Sequence, residues 1–342
     1  MRYGSLFSGY GGLDLAVESV LGASCAWHCE LDPHASKVLA AHWPGVPNLG
    51  DISAVDWSAV EPVDVLCGGF PCQDISSAGR GAGIAEGTRS GLWYRFADAV
   101  RVLRPRLVFV ENVGALVVRG LDIVVGDLAA LGYDCRWTCL HAADVGAPHR
   151  RERLFLVAWP AADADHLRCE GAISEAFGDD GRGDPRPAAA DADHLRCEWG
   201  GGAWGGWSGS ADGGGPPADA DVLGRGQRPE QHRPPEQAAA IGVGDRGHAL
   251  GRGVEDGGQT VWGPYAGAVS RWERVLGRAA PAPTDERGRL SPVFVEWMMG
   301  LSLGWVTDVL PSRTAALRAL GNGVVPQQGA AALRMLLEPV AS

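Results

Sequence analysis

Lysine is almost missing from this chain: of its 30 basic residues, all but Lys37 are arginine. The bias fits a GC-rich coding source and says little about function. It does exclude one motif, because no glycine-rich loop carries the lysine that holds the phosphates of a nucleoside triphosphate. Long apolar runs are absent as well. None approaches the ~18 residues that a membrane-spanning helix needs. The first residues lack the charged, apolar and small-residue order of a secretory signal, so a cytoplasmic protein with no membrane partner is expected. Eight cysteines stand singly along 342 residues, several in apolar runs, and read as free thiols of a reducing compartment.

Net positive charge is also lacking. The formal charge of −11 argues against a general nucleic-acid coat protein. It leaves room for a DNA enzyme, which needs positive charge only where it faces the phosphates. Residues 1–160 carry 13 basic and 17 acidic side chains, residues 161–288 carry 13 and 21, and residues 289–342 carry 4 and 3. Most of the acidity therefore lies in the middle.

The first 160 residues alternate short apolar runs with helical spacing, the pattern of a mixed, mostly parallel α/β sheet between helices. Strands are expected at Tyr3–Phe7, Cys25–Cys29, Val63–Cys67, Leu107–Glu111, Cys135–Leu140 and Leu154–Trp159. Helices are expected at Leu13–Val20, Pro33–His42, Leu92–Leu103, Ile123–Leu131 and, near the end, Gln327–Leu337. Residues 161–260 are glycine-rich and show little periodicity. They contain a duplication, with Asp163–Glu170 and Asp191–Glu198 both reading DADHLRCE. This stretch is read as a variable insertion. The expected organisation is a catalytic domain of 1–160 completed by 312–342, and a smaller domain of 161–311.

Several segments can carry chemistry. Leu6–Asp14 places a glycine-rich turn, with Phe7, Gly9, Tyr10 and Gly11, between a strand and a helix. Such a turn is either purely structural or lets a ligand approach the backbone. Glu30 ends the next strand, where a carboxylate can accept from ribose hydroxyls, and Asp51-Ile52 follows. Together they outline a nucleoside pocket. Gly68–Ser76 sets Cys72 behind a stiff Phe70-Pro71 pair just past a strand end. Cys72 is there either a nucleophile or an inert core thiol. Glu111 ends another apolar strand and is either a helix-capping or salt-bridged residue or a partner of Cys72 on one sheet rim. The cluster Pro148–Arg153 is either a solvated edge or a base and phosphate contact.

In order and spacing these segments resemble the motifs of the bacterial DNA (cytosine-5) methyltransferase family. Phe7–Gly12 is similar to its cofactor loop, Pro71-Cys72-Gln73 to its nucleophile motif, and Glu111-Asn112-Val113 to its acid motif. His149–Arg153 resembles its Gln-x-Arg-x-Arg motif, with His149 in the glutamine's place. Arg289–Trp305 resembles the segment supporting target recognition, with Ser302 where proline is common. Leu320–Pro326 is similar to the final motif. The resemblance covers about 1–160 and 289–338.

It implies a Rossmann-like S-adenosylmethionine-dependent methyltransferase fold with a target-recognition domain in 161–311. The implied reaction transfers a methyl group from S-adenosylmethionine to C5 of a cytosine flipped out of duplex DNA. Cys72 would add to C6, Glu111 would act as the neutral acid at N3, Arg153 would meet the O2 edge, and Arg151 would support the site. Cofactor contacts are implied for Phe7, Gly9, Tyr10, Gly11, Glu30, Asp51, Ile52, Pro71, Leu92, Asn322 and Val324. DNA contacts are implied for Gln73, Ser76, Arg80 and Arg89, on a glycine-bearing lid spanning 73–89. The resemblance further implies a monomer in the cytoplasm of a bacterium or a phage-infected host, associated with the nucleoid, with any cognate restriction endonuclease acting separately. No metal is expected at this site. His166, Cys169, His194 and Cys197 have zinc-ligand spacing, yet duplication of a surface loop explains them equally, and that reading is preferred. An RNA (tRNA) cytosine-5 methyltransferase and a non-catalytic DNA-binding relative are the alternatives.

Overall fold

In the computed structural model, residues 1–71, 91–161 and 262–338 are described. Six strands form one sheet: β1 (Arg2–Leu6), β2 (Ser24–Cys29), β3 (Val65–Gly68), β4 (Leu107–Val113), β5 (Tyr133–His141) and β6 (Glu152–Pro160). Their order is β2-β1-β3-β4-β6-β5. β1 pairs in parallel with β2 and β3, and β3 with β4. β6 runs antiparallel to both β4 and β5, and is the one reversed strand. β3 and the first half of β4 are continuous apolar runs because helices cover both of their faces.

The helices are α1 (Gly12–Leu21), α2 (Pro33–His42), α3 (Leu92–Leu103), α4 (Leu121–Ala130), α5 (Ala266–Leu276), α6 (Pro292–Met298), α7 (Arg313–Asn322) and α8 (Pro326–Leu337). Local sequence sets their ends. Asp32 accepts from the backbone of His34 and Ala35 at the start of α2, with Pro33 in the first turn. Ser312 caps α7 by accepting from Ala315 N. α1 ends at Gly22, whose left-handed conformation lets its N–H reach Glu18 O. In α3 the buried residues Trp93, Phe96, Val100 and Leu103 recur at helical spacing, so one stripe faces the sheet.

Three apolar clusters result. On one face α3 and α4 pack Trp93, Phe96 and Leu128 over Leu66, Val108 and Leu156. On the other, α1 and α8 pack Leu13, Val17 and Leu333 over Tyr3, Phe109 and Phe155. A third joins Tyr10 and Val38 to Trp272, Trp297, Leu310 and Leu320. That third cluster bears on domain organisation. Of the segment 161–311, the described part, 262–311, is built into the same unit as residues 1–161. The reason is its aromatic side chains. Trp272 Nε1 donates to Trp297 O, and Trp305 Nε1 donates to Tyr10 O in the first glycine-rich turn. The duplicated segment, with His166, Cys169, His194 and Cys197, lies outside the described residues. Among the described residues no helix is long and apolar enough to cross a membrane. Cys25, Cys29, Cys67 and Cys135 carry free thiols.

One buried acid organises the loop after α6. Glu296, 1% exposed, accepts from Gly304 N, Val306 N, Thr307 N and Thr307 Oγ1 at 2.6–3.0 Å. Glu296→Gln turns an acceptor into a donor against these N–H groups. It should cost roughly 2–4 kcal/mol in urea unfolding. A loss under about 0.5 kcal/mol would show that the loop does not depend on the carboxylate.

Candidate active site

The chain leaves β1 for β2 on one side and later returns to β3 on the other. The rim beyond β1 and β3 is therefore a topological switch point, where open α/β sheets bind ligands. The turn after β1 carries backbone strain at this rim: Phe7 has φ 53, in the left-handed region that residues with a Cβ avoid. Its N–H is held by Cys29 O at 2.8 Å. Gly9 follows at φ 58, and a Cβ there would meet nothing within 4 Å, so the turn opens into space.

Glu30, at the end of β2, faces this turn. One carboxylate oxygen accepts from Gly9 N at 2.8 Å and the other from Asp32 N at 2.7 Å. Both oxygens are oriented and keep lone pairs for further donors. Burial raises the Glu30 pKa, and the two backbone N–H groups oppose that rise. Asp51 begins a short 3-10 turn by accepting from Ser53 N at 2.9 Å, and buried Ile52 lies behind it. An open turn, an oriented carboxylate and an apolar floor fit a nucleoside with ribose hydroxyls. Leu92 opens α3 and is half-buried. Tyr10 is different, because its side chain is fully buried and its hydroxyl donates to Val324 O at 2.6 Å. Any ligand contact of Tyr10 would come from its backbone. Gly11, at φ 85, has the Trp43 ring where a Cβ would stand. Asn322, at the end of α7, is exposed, whereas Val324 is buried.

The second half of the site lies between β3 and β4. Glu111 is 16% exposed, and its Oε1 stands 2.8 Å from Arg153 Nε on β6. Its Oε2 occupies the space beside Gly69, where a Cβ would come within 2.6 Å. The glycine is thus required for the carboxylate to lie against the segment Gly69–Pro71. Asn112, buried in β4, donates from Nδ2 to Phe70 O at 3.1 Å and ties the same segment to the strand. Pro71 is the last described residue before Cys72. Cys72, Gln73, Ser76, Arg80 and Arg89 lie outside the described residues.

Burial is the largest influence on Glu111 and raises its pKa, against the opposing pull of Arg153 and then Arg151. Arg151 takes φ 35 and donates to Gly321 O at 2.9 Å and to Gly323 O. It therefore braces the final segment. His149 Nε2 lies 3.1 Å from Met298 O; a carbonyl only accepts, so Nε2 carries the proton. Burial pushes the His149 pKa down, which keeps the ring neutral. An N–H on a neutral side chain is also what a glutamine amide would offer at this position.

The structure brings Phe7, Gly9, Glu30, Asp51 and Ile52 to one end of the rim, and Pro71, Glu111 and Arg153 to the other. Sequence reasoning did not single out Asn112 or Gly69 as site residues. The signal for Asn112 was present, as an amide beside Glu111 in a strand whose other residues are apolar, which must find partners once buried.

The fold and site define the class first: a Rossmann-like α/β domain with a mixed, mostly parallel sheet and a rim that fits a nucleoside. More particularly, residues 1–167 match the family model of the C-5 cytosine-specific DNA methylase. The type II methyltransferase M.HhaI of Haemophilus parahaemolyticus is 35% identical over 161 residues, covering 46% of this chain and 48% of that protein. M.NgoBI of Neisseria gonorrhoeae is 36% identical over 156 residues, 44% of this chain and 48% of its own. M.NlaX of Neisseria lactamica is 31% identical over 188 residues, 51% and 60% respectively. Among solved structures, the Dnmt2 methyltransferase of S. pombe is similar with a TM-score of 0.39 and 16% identity, over 53% of this chain and 56% of that one. This chain spans about half the length of the curated relatives it matches.

Removing Arg153 removes the cation that favours ionised Glu111. In Arg153→Gln the Glu111 midpoint should therefore rise further, as read by carboxyl carbon NMR against pH. A midpoint that is unchanged or falls would contradict this electrostatic account.

Proposed function

We propose that this chain is a DNA (cytosine-5-)-methyltransferase that methylates C5 of a cytosine flipped out of duplex DNA, using S-adenosylmethionine and a covalent adduct with Cys72. One observation carries the reading: the Glu111 carboxyl, with raised pKa, lies against the Gly69–Pro71 segment that leads directly into Cys72.

The chemistry follows from the substrate. Cytosine C5 is a poor nucleophile, and adding a thiolate at C6 makes it a reactive enamine. Cys72 supplies the thiolate. Glu111 in its neutral form donates to N3 and so stabilises the charge that develops on the ring during addition. A raised carboxyl pKa favours that protonated form. Arg153, paired with Glu111, is set to meet the O2 edge of the base, and Arg151 holds the neighbouring backbone. Bound S-adenosylmethionine supplies the electrophilic methyl group. The methyl would pass to C5 with cleavage of its bond to sulfur, the cofactor leaving as S-adenosylhomocysteine; the C5 proton would go to water, and elimination across C5–C6 would return the thiolate of Cys72. Glu30 and Asp51 are assigned to the ribose of the cofactor, with Phe7, Gly9, Gly11, Ile52, Pro71, Leu92, Asn322 and Val324 around it and Tyr10 contributing its backbone.

Target reading is assigned to the insertion within 161–311, beyond the part that packs with the first unit. Gln73, Ser76, Arg80 and Arg89 are assigned to the DNA. The enzyme is proposed to act as a monomer in the bacterial or phage-infected cytoplasm at the nucleoid, with any cognate restriction endonuclease acting separately.

With labelled S-adenosylmethionine, the full chain should transfer methyl groups to duplex DNA and not to tRNA. Cys72→Ser should abolish transfer while leaving cofactor binding intact, and Glu111→Gln should slow it by ~100-fold or more. Near-normal transfer by Cys72→Ser would remove the covalent route. Transfer to tRNA alone would place the substrate in RNA.

A further inference from the structure

Beneath α1, on the face of the sheet opposite α3, lies a buried group of side chains that the proposed chemistry does not use. Asp14, Cys25 and His28 are 0%, 6% and 1% exposed. One ligand atom from each lies within 4.8 Å of the other two. His28 Nε2 stands 3.3 Å from Asp14 Oδ1 and 3.5 Å from Cys25 Sγ.

A bulge creates this cluster. Residues 25 and 28 of a regular strand would point to opposite faces. Here the register of β1 with β2 slips, so that Tyr3 pairs with Cys25 but Gly4 pairs with Trp27. The extra residue, Ala26, turns His28 to the same side as Cys25, across from Ser5. Asp14 reaches down to both from the first turn of α1.

The hydrogen bonding of Asp14 is unbalanced. Its Oδ2 accepts from Ser5 Oγ at 3.0 Å, which fixes the carboxylate plane. Its Oδ1 is buried with no hydrogen-bond partner among the described residues, although His28 Nε2 is close. Cys25 Sγ lies 3.5 Å from Trp27 O and also meets the Tyr3 hydroxyl, besides the histidine. A buried carboxylate oxygen without a hydrogen-bond partner thus converges with a thiol sulfur and an imidazole nitrogen.

We propose that Asp14, Cys25 and His28 bind a structural Zn²⁺ ion. The 3.3 and 3.5 Å separations match neighbouring ligand atoms around a tetrahedral ion whose bonds are about 2.0–2.3 Å. Mixed sulfur, nitrogen and oxygen donors suit zinc better than magnesium or calcium, which take oxygen. Charge also balances. Binding releases the thiol proton to solvent, so thiolate, carboxylate and neutral imidazole around Zn²⁺ form a site with no net charge, which a dry core tolerates. The Ser5 hydroxyl, already bonded to the carboxylate, offers a fourth oxygen. The ion would clamp α1, which follows the cofactor-side turn, to β2, which leads to Glu30.

The test uses the full chain purified without added metal, with metal content measured after exhaustive desalting. Wild type and the Cys169→Ser/Cys197→Ser variant should each hold about one zinc per chain, and Cys25→Ser less than ~0.2. Less than ~0.2 zinc in wild type would overturn the proposal, leaving a buried Asp14–His28 pair. Equal zinc in wild type and Cys25→Ser would also overturn it. Zinc that leaves with Cys169 and Cys197 belongs to the duplicated segment and overturns it as well. If Cys25→Ser fails to fold, Co²⁺ exchanged into the Cys169→Ser/Cys197→Ser variant should show a thiolate-to-cobalt charge-transfer band. Absence of that band would count against the site.

Discussion

The candidate active site depends on one close approach, that of the Glu111 carboxylate to the backbone at Gly69. The carboxylate can lie there only because residue 69 has no side chain. It stays because Arg153 pairs with its other oxygen while Asn112 holds the carbonyl of Phe70. Three strands are tied by these contacts: β3 leads into the segment, β4 carries the acid and the amide, and β6 brings the arginine. The antiparallel β6 matters here. Its reversal sets Arg153 opposite Val113 at the far end of β4, beside the acid, where a parallel strand would have ended elsewhere. Burial favours the neutral carboxyl and the arginine draws it back toward ionisation, so two opposed influences set its protonation.

A second set of contacts closes the molecule by joining the last described helices to the first loop. Tyr10 passes its hydroxyl to Val324 O, Arg151 gathers the carbonyls of Gly321 and Gly323, and Gln328 Nε2 donates to Leu140 O and Arg151 O. Residues more than 300 positions apart thereby share one rim. That closure fixes the strained turn at Phe7 from the far end of the chain, through Tyr10 three residues on.

Much of this was legible beforehand because apolar periodicity is a local property. The continuous runs in β3 and β4, and the Trp93-Phe96-Val100-Leu103 stripe of α3, announce their elements without help. β5 and β6 run one or two residues longer than expected at their ends, since those residues are recruited by pairing across the strands and not by their own pattern. The segment 262–288 is placed by its sequence in the smaller domain with no helix expected in it, yet Val269 and Trp272 pack α5 against Trp297. A helix with so few apolar residues becomes recognisable only through its partner. The motif residues Glu30 and Glu111 stood out as acids at apolar strand ends. The convergence of Asp14, Cys25 and His28 did not, because it follows from a bulge at Ala26 that no spacing rule signals.

The account stands or falls on whether this chain methylates cytosine in DNA. Bisulfite sequencing of the genome of a methylation-free host expressing the full chain tests it most directly. The account predicts protected cytosines confined to one short sequence, absent from cells expressing Cys72→Ser. A genome without protected cytosines, in cells where the protein is present and binds S-adenosylmethionine, would contradict it.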